Sequence, residues 1–466
     1  MNAISALPSF RDPAGRVVVQ ENRVLRVVNK AGEDELSAFL ASQVAARLLS
    51  SSVLVRTERV SSDLAQLASS LNGCSVYEHE LIPFASYPYE WSPHMLHAAG
   101  ALTLDIAEQC LDDGFGLKDA SPYNILFRGP HPTFIDALSF ERRDPCDPTW
   151  LAHAQFMRNF ILPLLAHKDL GMRIDDIFRT RRDGISPAEL CTWAGPLRRL
   201  SPSFFSNATV PVWLSRFESE RLYRPHVMDK DQARFVLRSL FARLRRKLRS
   251  VEPGEGRSRW SKYGDETPSY TAEQSARKRE FVDAFLSRCR PRNLLDIGCN
   301  TGVFSLMAAE RGASVVAIDA DPAVAGKLWL AARTENRNVL PLVVDIGRPS
   351  PALGWRNREG TAFLNRTRGA FDAVFVLALI HHLLVSERVP LNEIVSLVSE
   401  LTTQYAVVEY VGPDDPMFHR LARGSDGLYG DLSVAAFENA CAECFTIDHK
   451  EPLPGCARIL YVLRKR

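Results

Sequence analysis

Apolar residues follow two different rhythms along this chain. In the C-terminal part, short continuous apolar runs alternate with helical periodicity, the pattern of buried parallel strands and the helices that cover them. Asn293–Ile297, Ser314–Ile318, Leu340–Val344, Phe371–Ile380, Tyr405–Val411 and Ile459–Leu463 read as strands, and Phe304, Leu306, Met307 and Ala308 open a helix after the first of them. This predicts a doubly wound, mostly parallel α/β domain. Upstream the signal is more mixed and suits an α+β domain: Val24–Val28 is strand-like, and Ile125–Phe127 and Thr133–Ile135 flank a reversal at Gly129–Pro132. Between the two lies Asp231–Ser250, where Leu237, Leu240, Phe241, Leu244 and Leu248 keep a helical period while Arg234, Arg238, Arg245, Arg246 and Arg249 line other faces. Glu252–Gly256 reads as a linker, and Ala272–Arg288 as a helix leading into the first strand. The expected division is 1–230, a basic connector helix and linker over 231–262, and 263–466.

The chemistry is densest just after the first strand. Asp296 lies within that strand, and Gly298-Cys299-Asn300-Thr301-Gly302 follows before the helix begins. Glycine permits positive φ and close approach of a ligand to the backbone. The second strand ends in Asp319, 23 residues after Asp296, where a carboxylate can accept both hydroxyls of a ribose. The turn departs from the dinucleotide fingerprint, because Asn300 stands at the middle glycine and an acid on the strand would repel a pyrophosphate. A cationic ligand fits better: Asp296 favours the sulfonium and amino groups of S-adenosylmethionine, and Asp319 its ribose.

These residues resemble the first two motifs of class I methyltransferases. The resemblance implies a Rossmann-like fold and gives Asp345, at the end of the third strand, a contact with the adenine amino group. It makes Asp296, Gly298, Asn300, Gly302, Asp319 and Asp345 the expected cofactor-binding set. His381 and His382 end the apolar run Phe371–Ile380 and should stand beside the methyl donor, since ligands bind at the carboxyl ends of parallel strands. Either is a candidate base, and either can equally serve as a wall of the pocket. Glu409, Asp414 and Asp415 are candidates for shaping the acceptor site. Trp260, Tyr263, Tyr270 and Lys278 precede the domain as a segment able to fold over the cofactor, or simply to pack.

The first half carries a second constellation, Asp119, Asn124, a hairpin and Asp136. Base, metal-binding amide and metal-binding acid in this order resemble the catalytic loop of protein kinases and aminoglycoside-type phosphotransferases. Leu117 stands where that family has histidine, no glycine-rich phosphate loop precedes it, and Lys30 is a nominal phosphate lysine. The resemblance implies a kinase-like N-terminal domain, with Asp119, Asn124 and Asp136 catalytic only in an active phosphotransferase.

Composition narrows the class. At 466 residues, 46% hydrophobic and 24% charged, the chain is long enough for two or three cores. A net charge of +2 gives no general argument for nucleic acid, which leaves the basic helix as the one local pointer to RNA or a membrane surface. Nine cysteines in an odd, scattered set suit reduced thiols. Cys441 and Cys444, with His449 and Cys456, could be drawn as zinc ligands, but buried thiols are the simpler reading and no metal is expected. Without a leader-like start or a membrane-length apolar run, a cytoplasmic protein is expected.

Nearly the whole chain is similar to a bacterial family of S-adenosylmethionine-dependent methyltransferases that includes the host-specific nodulation protein of rhizobia. The segments that carry this are IPFASYPYEW (Ile82–Trp91), LKDASPYNILF (Leu117–Phe127), DIGCNTGVFS (Asp296–Ser305), LPLVVDIGRPSPALGWRNRE (Leu340–Glu359), LALIHHL (Leu377–Leu383) and DPMFHRL (Asp415–Leu421). The resemblance implies O- or N-methylation of an unidentified acceptor, a signal or surface molecule affecting host range, with a small molecule or glycan favoured over RNA. A bifunctional or purely phosphotransferase protein, an RNA methyltransferase and a non-catalytic cofactor-binding scaffold stay open as alternatives.

Overall fold

The computed structural model describes residues 11–20, 22–60, 74–215, 228–254, 270–422, 424 and 426–466. Trp260 and Tyr263 lie outside them. The chain divides into two compact units, one of 1–128, 132–254 and 352–360, the other of 129–131, 255–351 and 361–466.

In the first unit, β1 (Gly15–Gln20), β2 (Arg23–Val28), β3 (Thr57–Arg59) and β4 (Ser75–His79) form an antiparallel sheet in the order β1-β2-β4-β3. Helix α1 (Lys30–Leu40) follows β2; the Asn29 side chain accepts from the Gly32 N–H and so satisfies one of its open donors. Leu36 of α1 packs with Val28, Tyr77, Ala137 and Leu138. After α2 (Pro93–Asp112), β5 (Phe115–Leu117) pairs with β8 (Phe140–Arg142), and β6 (Ile125–Arg128) with β7 (His131–Phe134).

The basic segment forms α3 (Lys230–Ser250), within the first unit. It buries Ala233, Leu237, Phe241, Leu244 and Leu248, with Phe241 edge-on to Trp150 at 5.0 Å between ring centroids. Three of its arginines face acids of α2: Arg234 and Arg238 meet Asp112, and Arg245 meets Asp105 and Glu108. Exposed pairs of this kind contribute at most about 1 kcal/mol each, so the apolar stripe holds the helix in place.

The second unit is built on seven strands: β9 (Asn293–Ile297), β10 (Ser314–Asp319), β11 (Val339–Val343), β12 (Phe371–Val376), β13 (Thr402–Val411), β14 (Phe445–Pro452) and β15 (Arg458–Lys465). Their order is β11-β10-β9-β12-β13-β15-β14; the first five are parallel, and β15 runs antiparallel to both its neighbours. Helices α4 (Ala272–Cys289), α5 (Val303–Glu310), α6 (Pro322–Thr334), α7 (Ile380–Val385), α8 (Leu391–Leu401), α9 (Pro416–Ala422) and α10 (Val434–Cys444) accompany it. Phe281 and Phe285 of α4 share a core with Leu294, Ala317, Phe375 and Leu460.

Two elements differ from the sequence expectation. The apolar run Phe371–Ile380 is not one strand: β12 ends at Val376, Ala378 turns the chain at φ 54°, and Ile380 begins α7. His381 and His382 therefore occupy the first turn of a short helix rather than a strand end. The sheet also gains β14, an edge strand whose side chains are mostly polar and at least partly exposed, so it carries no apolar run to read. Among the described residues, no helix is long and apolar enough to cross a membrane.

Candidate active site

Strands β9 and β12 are neighbours, yet the chain leaves β9 toward β10 on its other side, which opens a crevice at their carboxyl ends. The glycine turn lines this crevice. Gly298, Asn300 and Gly302 have φ values of 74°, 49° and 80°. The N–H groups of Gly298 and Cys299 donate to the Ile318 carbonyl at 2.8 and 3.1 Å, pinning the turn to β10. A Cβ on Gly302 would run into the side chain of Leu328, which is wholly buried. Asn300 tolerates its left-handed conformation because asparagine populates that region more readily than most residues.

Asp319 ties two loops together: one carboxylate oxygen accepts the Asn300 N–H and the other the Asp321 N–H, both at 2.9 Å. Asp296 is buried within β9 and accepts from Ser305 Oγ of α5 at 2.5 Å. Burial pushes its pKa up to about 6, while the Ser305 hydrogen bond and Lys278 oppose the rise; burial also raises that of Asp319. Asn300 Oδ1 and Asp321 Oδ2 are buried without a hydrogen-bond partner. Asp345, just beyond β11, accepts the Gly347 N–H at 2.9 Å and pairs with Arg348 at 3.3 Å.

A buried charged network extends from β13. Glu409 is fully buried and meets Lys278 Nζ of α4 at 2.6 Å, and the Tyr270 hydroxyl donates to it at 2.7 Å. Arg458 of β15 grips Asp415 through two bonds of 2.7 and 3.2 Å, lies 3.5 Å from Glu409, and sits 4.5 Å above the Tyr270 ring. Burial alone would raise the pKa of Glu409, but the two cations bring it below the ordinary value. Sequence analysis singles out Tyr270, Lys278, Glu409 and Asp415 one by one. It misses Arg458, the residue that joins them, because a lone arginine in an apolar strand carries no motif.

His381 is buried, its ring centroid 4.3 Å from that of His382, and its Nδ1 has no hydrogen-bond partner. Burial, then His382, Arg458 and Lys278, pull its pKa down to about 2, so the ring is neutral at physiological pH. Burial lowers that of His382 as well.

In the first unit, Asn124 Nδ2 donates to Ser139 Oγ at 3.2 Å and Ser139 Oγ donates to Asp136 at 2.5 Å, so one serine joins the two candidate metal ligands. Asp119 is held separately, accepting from Ser121 N at 3.0 Å and Gln155 Nε2 at 2.6 Å. Lys30 is exposed at the start of α1, whereas Arg26 of β2 is buried and pairs with Asp136 at 2.8 Å. Burial would raise the pKa of Asp136, but Arg26 brings it below the usual carboxylate range. Cys441 is buried on α10, and among the described residues no group of three or more His, Cys, Asp or Glu is placed to hold a metal ion.

Residues 270–428 match the family described as "Methyltransferase domain". Over 465 residues, 98% of this chain and 95% of the relative, the chain is 32% identical to "Nodulation protein NoeA" of Rhizobium meliloti (strain 1021). The chain belongs to the NoeA family of methyltransferases. As a NoeA-family enzyme it uses S-adenosylmethionine as methyl donor. A stretch of 140 residues is 29% identical to the "O-antigen chain terminator bifunctional methyltransferase/kinase WbdD" of Escherichia coli, covering 29% of the NoeA-like chain and 18% of WbdD. Among solved structures, N-methyltransferase NodS from Bradyrhizobium japonicum WM9 is 17% identical, covering 43% of this chain and 98% of its own, with a TM-score of 0.29.

Proposed function

We propose that the carboxyl edge of β9, β10 and β11 holds S-adenosylmethionine, and that its methyl group passes to an oxygen or nitrogen of a small-molecule or glycan acceptor in the cytoplasm. The observation that carries this reading is the buried Asp296 and the half-buried Asp319 around a positive-φ turn with an unpartnered amide oxygen on Asn300. Those residues fit the cofactor: two carboxylates suit its amino group and ribose hydroxyls, Asn300 Oδ1 offers an acceptor, and Gly298 and Gly302 leave room for close approach. Asp345 is assigned the adenine amino group. The cofactor supplies an electrophilic methyl on a sulfonium.

The protein's part is alignment and exclusion of water, which suits a crevice walled by the short helix α7. A conjugate acid as disfavoured as that of His381 is a poor store for a proton, so its neutral ring orients the acceptor by accepting a hydrogen bond at Nδ1. His382 is the better placed of the two to relay a proton outward. By likeness to the nodulation protein, the product is a modified signal or surface molecule affecting host range. The ion pairs that occupy Arg234, Arg238 and Arg245 leave less of α3 for RNA. Incubating the enzyme with methyl-labelled cofactor and separate pools of small metabolites, glycans and RNA tests the reading. Label entering RNA alone would reject the acceptor class, and cofactor binding without transfer to any pool would favour a scaffold.

The ionised form of Asp296 is the one that attracts a cation. Cofactor affinity is therefore expected to be full above about pH 6 and to fall by up to about tenfold per unit below it. Calorimetric titration across that range checks this, with a flat profile as the contrary result.

A second reading, phosphoryl transfer by the first unit, rests on the Asn124, Ser139 and Asp136 chain. Arg26 supplies Asp136 with a built-in cation, so weak binding of magnesium and ATP is expected in the wild type, unimproved in Asp119→Ala. Tight ATP binding lost in Asp136→Ala would instead support the phosphotransferase.

A further inference from the structure

We propose that a patch on the first unit, made of exposed apolar side chains around Arg198 and Arg199, docks the protein on an anionic phospholipid surface. The inference goes beyond the methyl-transfer reading and does not depend on it. Prolines cut this stretch into short helical pieces, Pro187–Trp193, Pro196–Arg199, Pro202–Phe204, Phe205–Thr209 and Val210–Ser215, the first three of which open on proline. Phe205–Thr209 packs against each of the others. The inward side of the cluster is core, with Leu190, Ala194, Phe204, Asn207 and Ala208 buried. Hydrogen bonds fix the turns: Thr209 Oγ1 donates to the Arg199 carbonyl at 2.8 Å, Arg199 Nε to the Ala194 carbonyl at 3.0 Å, and Asn207 Nδ2 to the Ser203 carbonyl at 2.9 Å. Lys247 of α3 donates to Asn207 Oδ1 and ties the cluster to the longer helix.

The outward side is apolar. Leu197 is 85% exposed, Leu200 70% and Trp213 57%, and Phe205 and Leu214 are exposed as well. One exposed leucine needs no explanation, but a concentration of large apolar side chains on one set of packed turns marks a surface that meets a partner. Charge selects that partner. From Leu190 to Ser215 the sequence holds no Asp, Glu, Lys or His, and its charges are Arg198 and Arg199, both exposed. Among the described residues neither guanidinium pairs with an acid, and Glu189, the acid just upstream, is taken by Ser186 and Arg181. Leucines, a phenylalanine and a tryptophan beside unpaired arginines suit the boundary between headgroups and acyl chains of an anionic bilayer. A second copy of this chain is a poorer occupant, because a self-complementary contact would set these arginines against their own like charges without an acid between them. The basic helix α3 is not this surface: its apolar stripe is buried, and Arg234, Arg238 and Arg245 already face acids.

The test is co-sedimentation of the full chain with vesicles of equal parts phosphatidylcholine and phosphatidylglycerol, and with vesicles of phosphatidylcholine alone. Wild type should bind the anionic vesicles more tightly, and added salt should weaken that binding. An arginine near such a surface is worth about fivefold in affinity, so Arg198→Gln/Arg199→Gln should weaken binding by about thirtyfold and bring it near the phosphatidylcholine value. Leu197→Ser/Leu200→Ser should lose about tenfold or more on both kinds of vesicle. Since all four side chains are exposed, both variants should keep the wild-type melting temperature and affinity for S-adenosylmethionine. Arg243→Gln/Arg246→Gln, on exposed positions of α3, should bind vesicles as wild type does. A wild type that leaves both vesicles unbound overturns the proposal, as do patch variants that bind like wild type, or a loss confined to the α3 variant. Sedimentation velocity without lipid covers the rival occupant. Self-association that is abolished by Leu197→Ser/Leu200→Ser, with no vesicle binding, would overturn the proposal in favour of an interface between copies.

Discussion

Arg458→Met lowers the stability of the second unit by about 3–5 kcal/mol, the usual consequence of removing one partner from a buried ion pair. Arg458 is 4% exposed and its guanidinium makes two bonds to Asp415, itself 2% exposed, besides its approach to Glu409. Methionine fills much of the volume, so lost packing is a small part of the effect; what remains is a carboxylate with neither water nor a counter-ion. For a unit of this size the thermal midpoint should drop by roughly 6–20 °C. Calorimetric melting measures it, and the double variant Arg458→Met/Asp415→Asn should recover a large part of the loss. A single variant that melts within a degree or two of wild type would mean that water reaches Asp415 and the network is not dry.

Asp319→Ala is the change with the largest expected effect on cofactor binding. Its carboxylate already organises the turn through the Asn300 and Asp321 N–H groups, so the substitution removes both the acceptor proposed for the ribose and the brace that shapes the turn. Hydrogen bonds to a charged group are worth about 1.5–3 kcal/mol each, and losing two gives a weakening of about a hundredfold or more. Calorimetry on a variant shown by its melting curve to be folded reads this directly. Retained micromolar affinity would remove Asp319 from the cofactor site. Asp319→Asn should fall between the two, because an amide oxygen keeps one acceptor position without the charge.

The strands and turn from β9 to β10 were legible because buried parallel strands are written as unbroken apolar runs and the turn is punctuated by glycine. Asp296 and Asp319 could be assigned expectations from spacing alone, since the strand–turn–helix–strand order dictates which ends face the crevice. The charged network was not legible as a unit. Lys278 and Glu409 are 131 residues apart, and Arg458 lies 49 from Glu409 and 43 from Asp415, so no local pattern links them. Only sheet order brings β15 beside β13. His381 and His382 were found by the apolar run before them, yet their setting was misread because a single left-handed residue, Ala378, converts strand into helix. In the first unit Arg26 is a single polar position in a short strand and carries no motif, whereas Lys30, the nominal phosphate lysine, lies two residues beyond that strand and is exposed.

The place of β15 between β13 and β14 bears on how the protein is made. Both of its partners leave the ribosome before it does, so until Arg458–Lys465 emerges β13 keeps an open edge and β14 has no neighbour. Glu409 and Asp415 are likewise without Arg458 during that interval, which disfavours burying them early. A nascent chain is thereby held short of the complete seven-stranded sheet, and the strand that completes it delivers the charge that pairs with Asp415.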